Sequence, residues 1–277
     1  MKKTFPAIAA ICVILLPLTT SASDEAKSVG SQKELRILLV GDSTVTHGAG
    51  WGQGFKSLTG EKVVYLNHAK GGRSSKSYRD EGHWDKALKT NADYVLLQFG
   101  HNDQTGKGPA RETDPKTTYR QNMARYVAEA SKAGMKPILV TSLTRRYFLN
   151  GKIINTDFKN HALLEDQADL KSCPPGERGT SLPDYVNAVR KLAEEEDIPL
   201  IELYQPSVEL ANKLGPEGCR EISPKQSLPA GKPDCSHLNA RGSRMIAKIV
   251  ILGFLKIYPE LAPYFPTVVP SSETSGL

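Results

Sequence analysis

Cysteine is scarce, with four in 277 residues, and Cys12 falls in an N-terminal apolar stretch. The remaining Cys173, Cys219 and Cys235 fit no zinc-ligand spacing. They allow at most one intramolecular bridge with one thiol left over, and which two would pair stays open. His47, His68, His83 and His161 also lack ligand spacing with one another. There is no basic run of the kind that tracks a nucleic-acid backbone. The formal charge of +6 is spread along the chain, so it is compatible with an anionic substrate without arguing for one. No segment beyond the N-terminus is apolar enough to span a membrane. The Gly-x-Ser-x-Gly elbow of the α/β-hydrolases is missing, because Val45 closes Gly41-Asp42-Ser43-Thr44-Val45. The Gly-x-Gly-x-x-Gly dinucleotide fingerprint also fails within Gly48–Gly54, with Gln53 or Phe55 at its last place. There is no internal repeat.

What is present begins with Met1-Lys2-Lys3, an apolar stretch from Ala7 to Leu18 and the small residues Ser21-Ala22-Ser23. A basic start, a short apolar core and small residues describe a secretory signal peptide over residues 1–23. An uncleaved N-terminal anchor is the alternative. Without Lys2 and Lys3 the charge becomes +4. Residues 24–34 read as a flexible lead-in, 35–258 as one domain and 259–277 as a flexible Pro/Ser/Thr-rich tail.

Apolar runs recur at Leu35–Val40, Val63–Leu66, Tyr94–Phe99, Pro137–Thr141 and Pro199–Leu203. Runs this continuous suit strands buried on both faces. Between them, helical patterns span about 115–133, 182–196 and 240–257. Asp114 and Asn239 stand at N-cap positions and Gly134 at a stop. Tyr119, Met123, Tyr126, Val127 and Ala130 line the inner face of the first. The alternation predicts an α/β fold, a five-stranded parallel sheet with helices on both faces. The polar stretch Asp157–Ser181 reads as an insertion or long loop, a place where binding residues often sit.

Gly41-Asp42-Ser43-Thr44 follows the first strand directly. A serine there lies at the carboxyl edge of the sheet, where open α/β folds bind ligands. Gly71-Gly72-Arg73-Ser74 follows the second strand, and Gly100-His101-Asn102-Asp103 the third. Asp234-Cys235-Ser236-His237 precedes the last helix. A serine hydroxyl needs a base, and His237 is the best one available. Asp234 is close enough to fix its tautomer. The backbone N–H groups of Ser43 and Gly72 and the Asn102 amide can form an oxyanion hole. Asp42 shapes the turn. His101 lines the site or holds structure by hydrogen bonds. Arg73, Arg145 and Arg146 either meet a uronate carboxylate by forked bonds or are solvated surface charge. The Gly48–Gly54 stretch shapes the loop after Ser43, with Trp51 as a wall of the substrate cleft.

These motifs, in this order, are similar to those of the SGNH (GDSL) hydrolase superfamily. Gly41-Asp42-Ser43-Thr44, Gly72-Arg73-Ser74, Phe99-Gly100-His101-Asn102-Asp103 and Asp234-Cys235-Ser236-His237-Leu238-Asn239 resemble, more narrowly, the rhamnogalacturonan acetylesterase family. Arg145-Arg146-Tyr147-Phe148, Gly151-Lys152 and Gly215-Pro216-Glu217-Gly218 carry the same resemblance, which extends from about Leu35 to Ile257. It implies a flavodoxin-like three-layer α/β/α sandwich. It also implies Ser43 as nucleophile, Asp234 and His237 as its partners, and Ser43, Gly72 and Asn102 as the oxyanion hole. Substrate contacts are expected from Trp51, Arg73 and His101. The implied protein is a secreted or periplasmic monomer that removes acetyl groups from pectic polysaccharide, with no metal or cofactor. A lipase, lysophospholipase or thioesterase on the same triad is the alternative, as is a non-catalytic polysaccharide-binding protein. Two features depart from the family: the long 157–181 stretch, and Cys235 between Asp234 and His237.

Overall fold

The computed structural model describes residues 33–149, 151–153, 182–225 and 234–269, together with Met1. The chain divides into the units Met1–Gln32 and Lys33–Leu277. Only Met1 of the first is described, and the fold below is that of the second. The signal segment beyond Met1, the 157–181 insertion and Cys173 lie outside the described residues.

The strands are β1 (Leu35–Gly41), β2 (Val63–Asn67), β3 (Tyr94–Gln98), β4 (Lys136–Val140), the two-residue β5 (Phe148–Leu149) and β6 (Lys152–Ile153), and β7 (Leu200–Ile201). β5 and β6 form an antiparallel hairpin of their own. The other five make one sheet in the order β2-β1-β3-β4-β7, every neighbouring pair parallel. The helices are α1 (Gly52–Leu58), α2 (Ser77–Asp80), α3 (His83–Leu88), α4 (Thr118–Lys132), α5 (Leu182–Glu195), α6 (Tyr204–Glu221) and α7 (Ala240–Ile257).

Alternation along β1 explains the three layers. Ile37 and Leu39 face Phe55 of α1 and Ile246, Val250 and Phe254 of α7. Leu38 and Val40 face Tyr119, Met123 and Tyr126 of α4 and Tyr185 and Val189 of α5. Successive strand side chains point to opposite faces, so an unbroken apolar run serves both cores. Each such fully buried side chain contributes about 1.5–3 kcal/mol. The expected α/β/α sandwich is therefore the observed one. The strand order also sets the site. The chain leaves β1 toward β2 on one side and returns to β3 on the other, which opens a crevice at the carboxyl ends of β1 and β3.

Several boundaries differ from the sequence expectation. Asp114 does not cap α4 directly. Its Oδ1 accepts from the N–H groups of Lys116 and Thr117, both at 2.9 Å, so it closes a turn and the helix starts at Thr118. Asn239 does cap α7, its Oδ1 accepting from the Gly242 N–H at 3.0 Å. α6 was not expected. Gly215-Pro216 breaks it into two helical halves, with Gly215 at φ +67° and Pro216 restarting the helix. The tail does not leave the core at residue 259. A 3₁₀ turn over Pro259–Tyr264 leads to Phe265, which is fully buried edge-on against Phe55 and Phe254.

α1 and α7 meet closely at one glycine. The Gly54 N–H donates to Ser243 Oγ at 2.8 Å, and a Cβ at Gly54 would lie 2.2 Å from the Ser243 carbonyl oxygen. Gly54→Ala is therefore expected to force the helices apart and destabilise the fold by about 1–3 kcal/mol. Chemical denaturation measures this. A variant as stable as the native chain would show that α1 shifts without cost.

Candidate active site

The site starts where β1 ends. A Cβ at Gly41 would sit 2.4 Å from the Gln98 carbonyl oxygen, so glycine permits the close approach to β3. Asp42 then turns the chain. Its Oδ1 accepts from the Thr44 N–H at 2.9 Å and from Thr44 Oγ1 at 2.7 Å. Thr44 Oγ1 in turn accepts from Gln98 Nε2 at 2.6 Å, and Gln98 Oε1 accepts from Trp51 Nε1 at 3.0 Å. This buried relay lies beneath the turn and leaves Ser43 half-buried at its tip. Burial raises the Asp42 carboxyl above its usual range, although the Thr44 donors oppose it.

The loops after β2 and β3 close in from the other side. The Lys70 N–H donates to the Gly41 carbonyl at 2.9 Å. Gly71 lies against Ser43, since a Cβ there would be 3.7 Å from the Ser43 Cβ. Gly72 adopts φ +76°, the left-handed region that favours glycine. The Asn102 amide donates to the Arg73 carbonyl at 3.2 Å, which joins the third-strand loop to the second. Below them Asp103 is fully buried. It accepts from the Ser75 N–H at 3.0 Å, Ser75 Oγ at 2.5 Å, the Gly100 N–H at 3.1 Å and Thr113 Oγ1 at 3.0 Å. Burial pushes its carboxyl up to about 7, against the Ser75 and Thr113 donors.

The last loop supplies the imidazole. Asp234 Oδ1 accepts from the Ser236 and His237 N–H groups, each at 2.8 Å. Its Oδ2 is 2.7 Å from His237 Nδ1, and His237 Nε2 is 2.9 Å from Ser43 Oγ. An ionised carboxylate only accepts, so Nδ1 carries the proton and Nε2 of the neutral ring accepts from the Ser43 hydroxyl. Burial acts to raise the Asp234 carboxyl. Bonds from the His237 ring and N–H, the positive charge of that ring when it is protonated, and the Ser236 N–H outweigh it and hold the group well below the usual carboxylate range.

Ser43, Asp234 and His237 thus meet, with the Gly71–Gly72 turn and Asn102 beside them. Other expectations are corrected. Trp51 is no cleft wall. It is fully buried, its ring tilted against that of Phe55, with its indole N–H spent on Gln98. His101 is buried as well, its Nε2 donating to the Leu143 carbonyl at 2.7 Å. Burial and the Arg145 charge hold that ring well below the ordinary imidazole range, so it is neutral and structural rather than open to substrate. Arg145 and Arg146 are neither solvated nor exposed to a ligand, because each is only 6 % exposed and both bond to the 234–237 loop. Their sequence signal, two charges after an apolar run, is indistinguishable from a surface pair. Arg73 is half-exposed and paired with Glu81 at 2.8 Å. Cys219 is a buried thiol without a disulfide.

Comparison with known proteins follows the same lines. The family model for GDSL-like lipases/acylhydrolases matches residues 39–245. The chain is 33 % identical over 238 residues to rhamnogalacturonan acetylesterase RhgT of Bacillus subtilis, covering 80 % of this chain and 90 % of that one. It is 32 % identical over 229 residues to the probable rhamnogalacturonan acetylesterase YesY of the same organism, covering 80 % and 93 %. Among solved structures, protein YxiM of Bacillus subtilis superposes with a TM-score of 0.61 at 23 % identity, over 82 % of this chain and 57 % of that one. The acetyl xylan esterase AlAXEase superposes with a TM-score of 0.53 at 20 % identity, over 79 % and 98 %. These two likenesses are of fold. With the family model spanning most of the chain and curated relatives above 30 % identity, the chain belongs to the GDSL-like lipase/acylhydrolase family and is a carboxylic ester hydrolase.

Proposed function

We propose that the protein is an exported serine esterase that removes O-acetyl groups from pectic polysaccharide, rhamnogalacturonan foremost. The observation that carries the chemistry is the continuous chain from Asp234 Oδ2 through the His237 ring to Ser43 Oγ, at 2.7 and 2.9 Å. The substrate class rests on the two relatives named as rhamnogalacturonan acetylesterases. Export rests on the signal-like residues 1–23. Among the described residues no helix is long and apolar enough to cross a membrane.

Ser43 Oγ attacks the acetyl carbonyl carbon while its proton passes to His237 Nε2. The oxyanion that forms is held by the N–H groups of Ser43 and Gly72 and by Asn102 Nδ2. Collapse of the intermediate expels the sugar oxygen, which takes the proton back from His237 Nε2 and leaves acetyl-Ser43. A water then attacks that ester, gives its proton to His237, and acetate departs as Ser43 is restored. Asp234 stays ionised throughout and stabilises the imidazolium. In this reading Arg73, half-exposed and paired with Glu81, exchanges that partner for a uronate carboxylate. No metal or cofactor enters this scheme.

The test is acetate release from acetylated rhamnogalacturonan, homogalacturonan and xylan, beside acetyl and long-chain nitrophenyl esters. Rhamnogalacturonan and the acetyl ester should be preferred. Preference for the long-chain ester would point to a lipase instead. Ser43→Ala should lower kcat by on the order of 10⁴-fold or more. Undiminished activity in that variant would remove Ser43 from the mechanism.

Asn102→Ala should cost about 10²–10³ in kcat with little change in KM, as loss of one oxyanion donor does. A rise in KM alone would make Asn102 a substrate contact only.

A mechanism with a single general base predicts that log kcat/KM rises with pH on the acid side with a slope of one. Asp234 adds no second step, because its carboxyl lies lower folded than unfolded. Its contribution to stability is present above the unfolded carboxylate pKa of about 3.9 and goes only as pH falls below that. A slope of two, or a rate flat with pH, would contradict the assignment.

A further inference from the structure

Arg146 follows β4 and has no role in the scheme above, yet it is bound to the loop that carries both Asp234 and His237. Its main-chain N–H donates to the Cys235 carbonyl at 2.8 Å. Its Nη1 donates to the Ser236 carbonyl at 3.4 Å. Its Nη2 donates to the carbonyls of Asp234 at 3.0 Å and His237 at 2.5 Å. Every carbonyl from 234 to 237 therefore points at one residue. The same Nη2 reaches Ser223 Oγ at 2.9 Å, and Ser223 Oγ donates to the Cys219 carbonyl at 2.7 Å, which ties the guanidinium to the end of α6.

We infer that Arg146 is the positioning residue of the acid–base pair: by fixing the peptide planes of the 234–237 loop it aims the Asp234 carboxylate at the His237 ring. In a planar trans peptide the C=O and the following N–H point in opposite directions, and the described chain has no cis peptide. The main-chain N–H of Arg146 turns the Cys235 carbonyl and sends the Ser236 N–H the other way, while the guanidinium turns the carbonyls of Asp234, Ser236 and His237. Turning the Ser236 carbonyl does the same to the His237 N–H. Those two N–H groups are the ones that hold Asp234 Oδ1, each at 2.8 Å. With Oδ1 occupied, Oδ2 is left to face His237 Nδ1 at 2.7 Å.

The role demands arginine. Nη1 reaches the Ser236 carbonyl, and the two N–H groups of Nη2 are shared among the Asp234 and His237 carbonyls and Ser223 Oγ, a planar spread that an ammonium, one compact point, does not match. Burial weakens the guanidinium's hold on its proton, while the nearby thiols and Asp234 favour the charged form. A buried cation is then stabilised by carbonyl dipoles and not by a forked carboxylate pair. Arg145 braces the same loop from beside it, donating from Nη1 to Ser236 Oγ at 2.7 Å and from Nη2 to the His101 carbonyl at 3.3 Å.

The inference rests on the esterase reading of the site, and the experiment separates the two. Arg146→Lys and Arg146→Ala would be compared with the native enzyme and with Arg241→Ala, which changes an exposed arginine paired with Glu221. The readouts are kcat and KM for 4-nitrophenyl acetate and the downfield proton resonance of the His237 Nδ1–H. Arg146→Lys should lower kcat about 10- to 100-fold, as a misplaced reacting group does, with KM within about twofold. The Nδ1–H resonance should broaden or vanish, and guanidinium ion at non-denaturing concentration should restore part of the kcat of Arg146→Ala. Arg241→Ala should match the native enzyme. Native kcat and an unchanged resonance in Arg146→Lys would overturn the inference, even if Arg146→Ala fails to fold. A native enzyme with no esterase activity would sink the esterase reading instead, while the resonance would still report whether Arg146 holds the pair.

Discussion

A hydroxyl is a weak nucleophile until a base stands within hydrogen-bond reach of it. In the proposed mechanism the base reaches across 194 positions of sequence, from His237 Nε2 to Ser43 Oγ at 2.9 Å. Neither residue can hold that distance alone, because each sits in a loop. The sheet makes it achievable. Parallel strands in the order β2-β1-β3 bring the loops after β1, β2 and β3 to one edge, and α7 delivers the 234–237 loop to the same edge. Asn239 caps α7 two residues beyond His237, and the Leu238 N–H donates to the Ala49 carbonyl at 2.9 Å, so the approach of the loop is pinned on both sides.

Beneath the reacting atoms lies a layer of buried polar groups. Leaving one such group unpaired costs about 1–3 kcal/mol, and here most are paired across loops. Thr44, Gln98 and Trp51 join β1, β3 and the start of α1. Asp103 joins the loops that carry Gly72 and Asn102. Arg146 joins β4 to the 234–237 loop. Each of these groups ties its own loop to another loop or to a strand, so the loops keep register with one another without forming a continuous sheet. Such support below a site is what preorganised catalysis needs, since donors must already face the charge that develops.

The sheet was legible because buried parallel strands leave long apolar runs, and the candidate site was legible because Ser43 and Asn102 closely follow such runs and His237 stands just before a capped helix. The supporting layer was not. Trp51 and His101 look like site residues from their neighbours in sequence, but a buried indole or imidazole with one satisfied N–H serves packing as well as binding. Arg145 and Arg146 look like surface charge because sequence neighbours do not reveal a hydroxyl and carbonyls supplied from ninety residues away. α6 was hidden by Gly215-Pro216, which breaks it into two halves, while Tyr204, Val208 and Ala211 before the break and Cys219 after it pack in one cluster with the hairpin residues Phe148 and Ile153. The end of the domain was missed for a similar reason, since Phe265 docks in the core from a segment rich in proline.

The most direct measurement of the central claim is capture of the covalent intermediate. The enzyme would be mixed with an acetyl ester, quenched in acid during turnover, and mapped by peptide mass spectrometry. Transient gain of one acetyl group on Ser43, and its absence in a chain carrying His237→Ala, is the expected result. Acetate release with no acetyl group ever found on Ser43, or with the group on a different residue, would contradict the account.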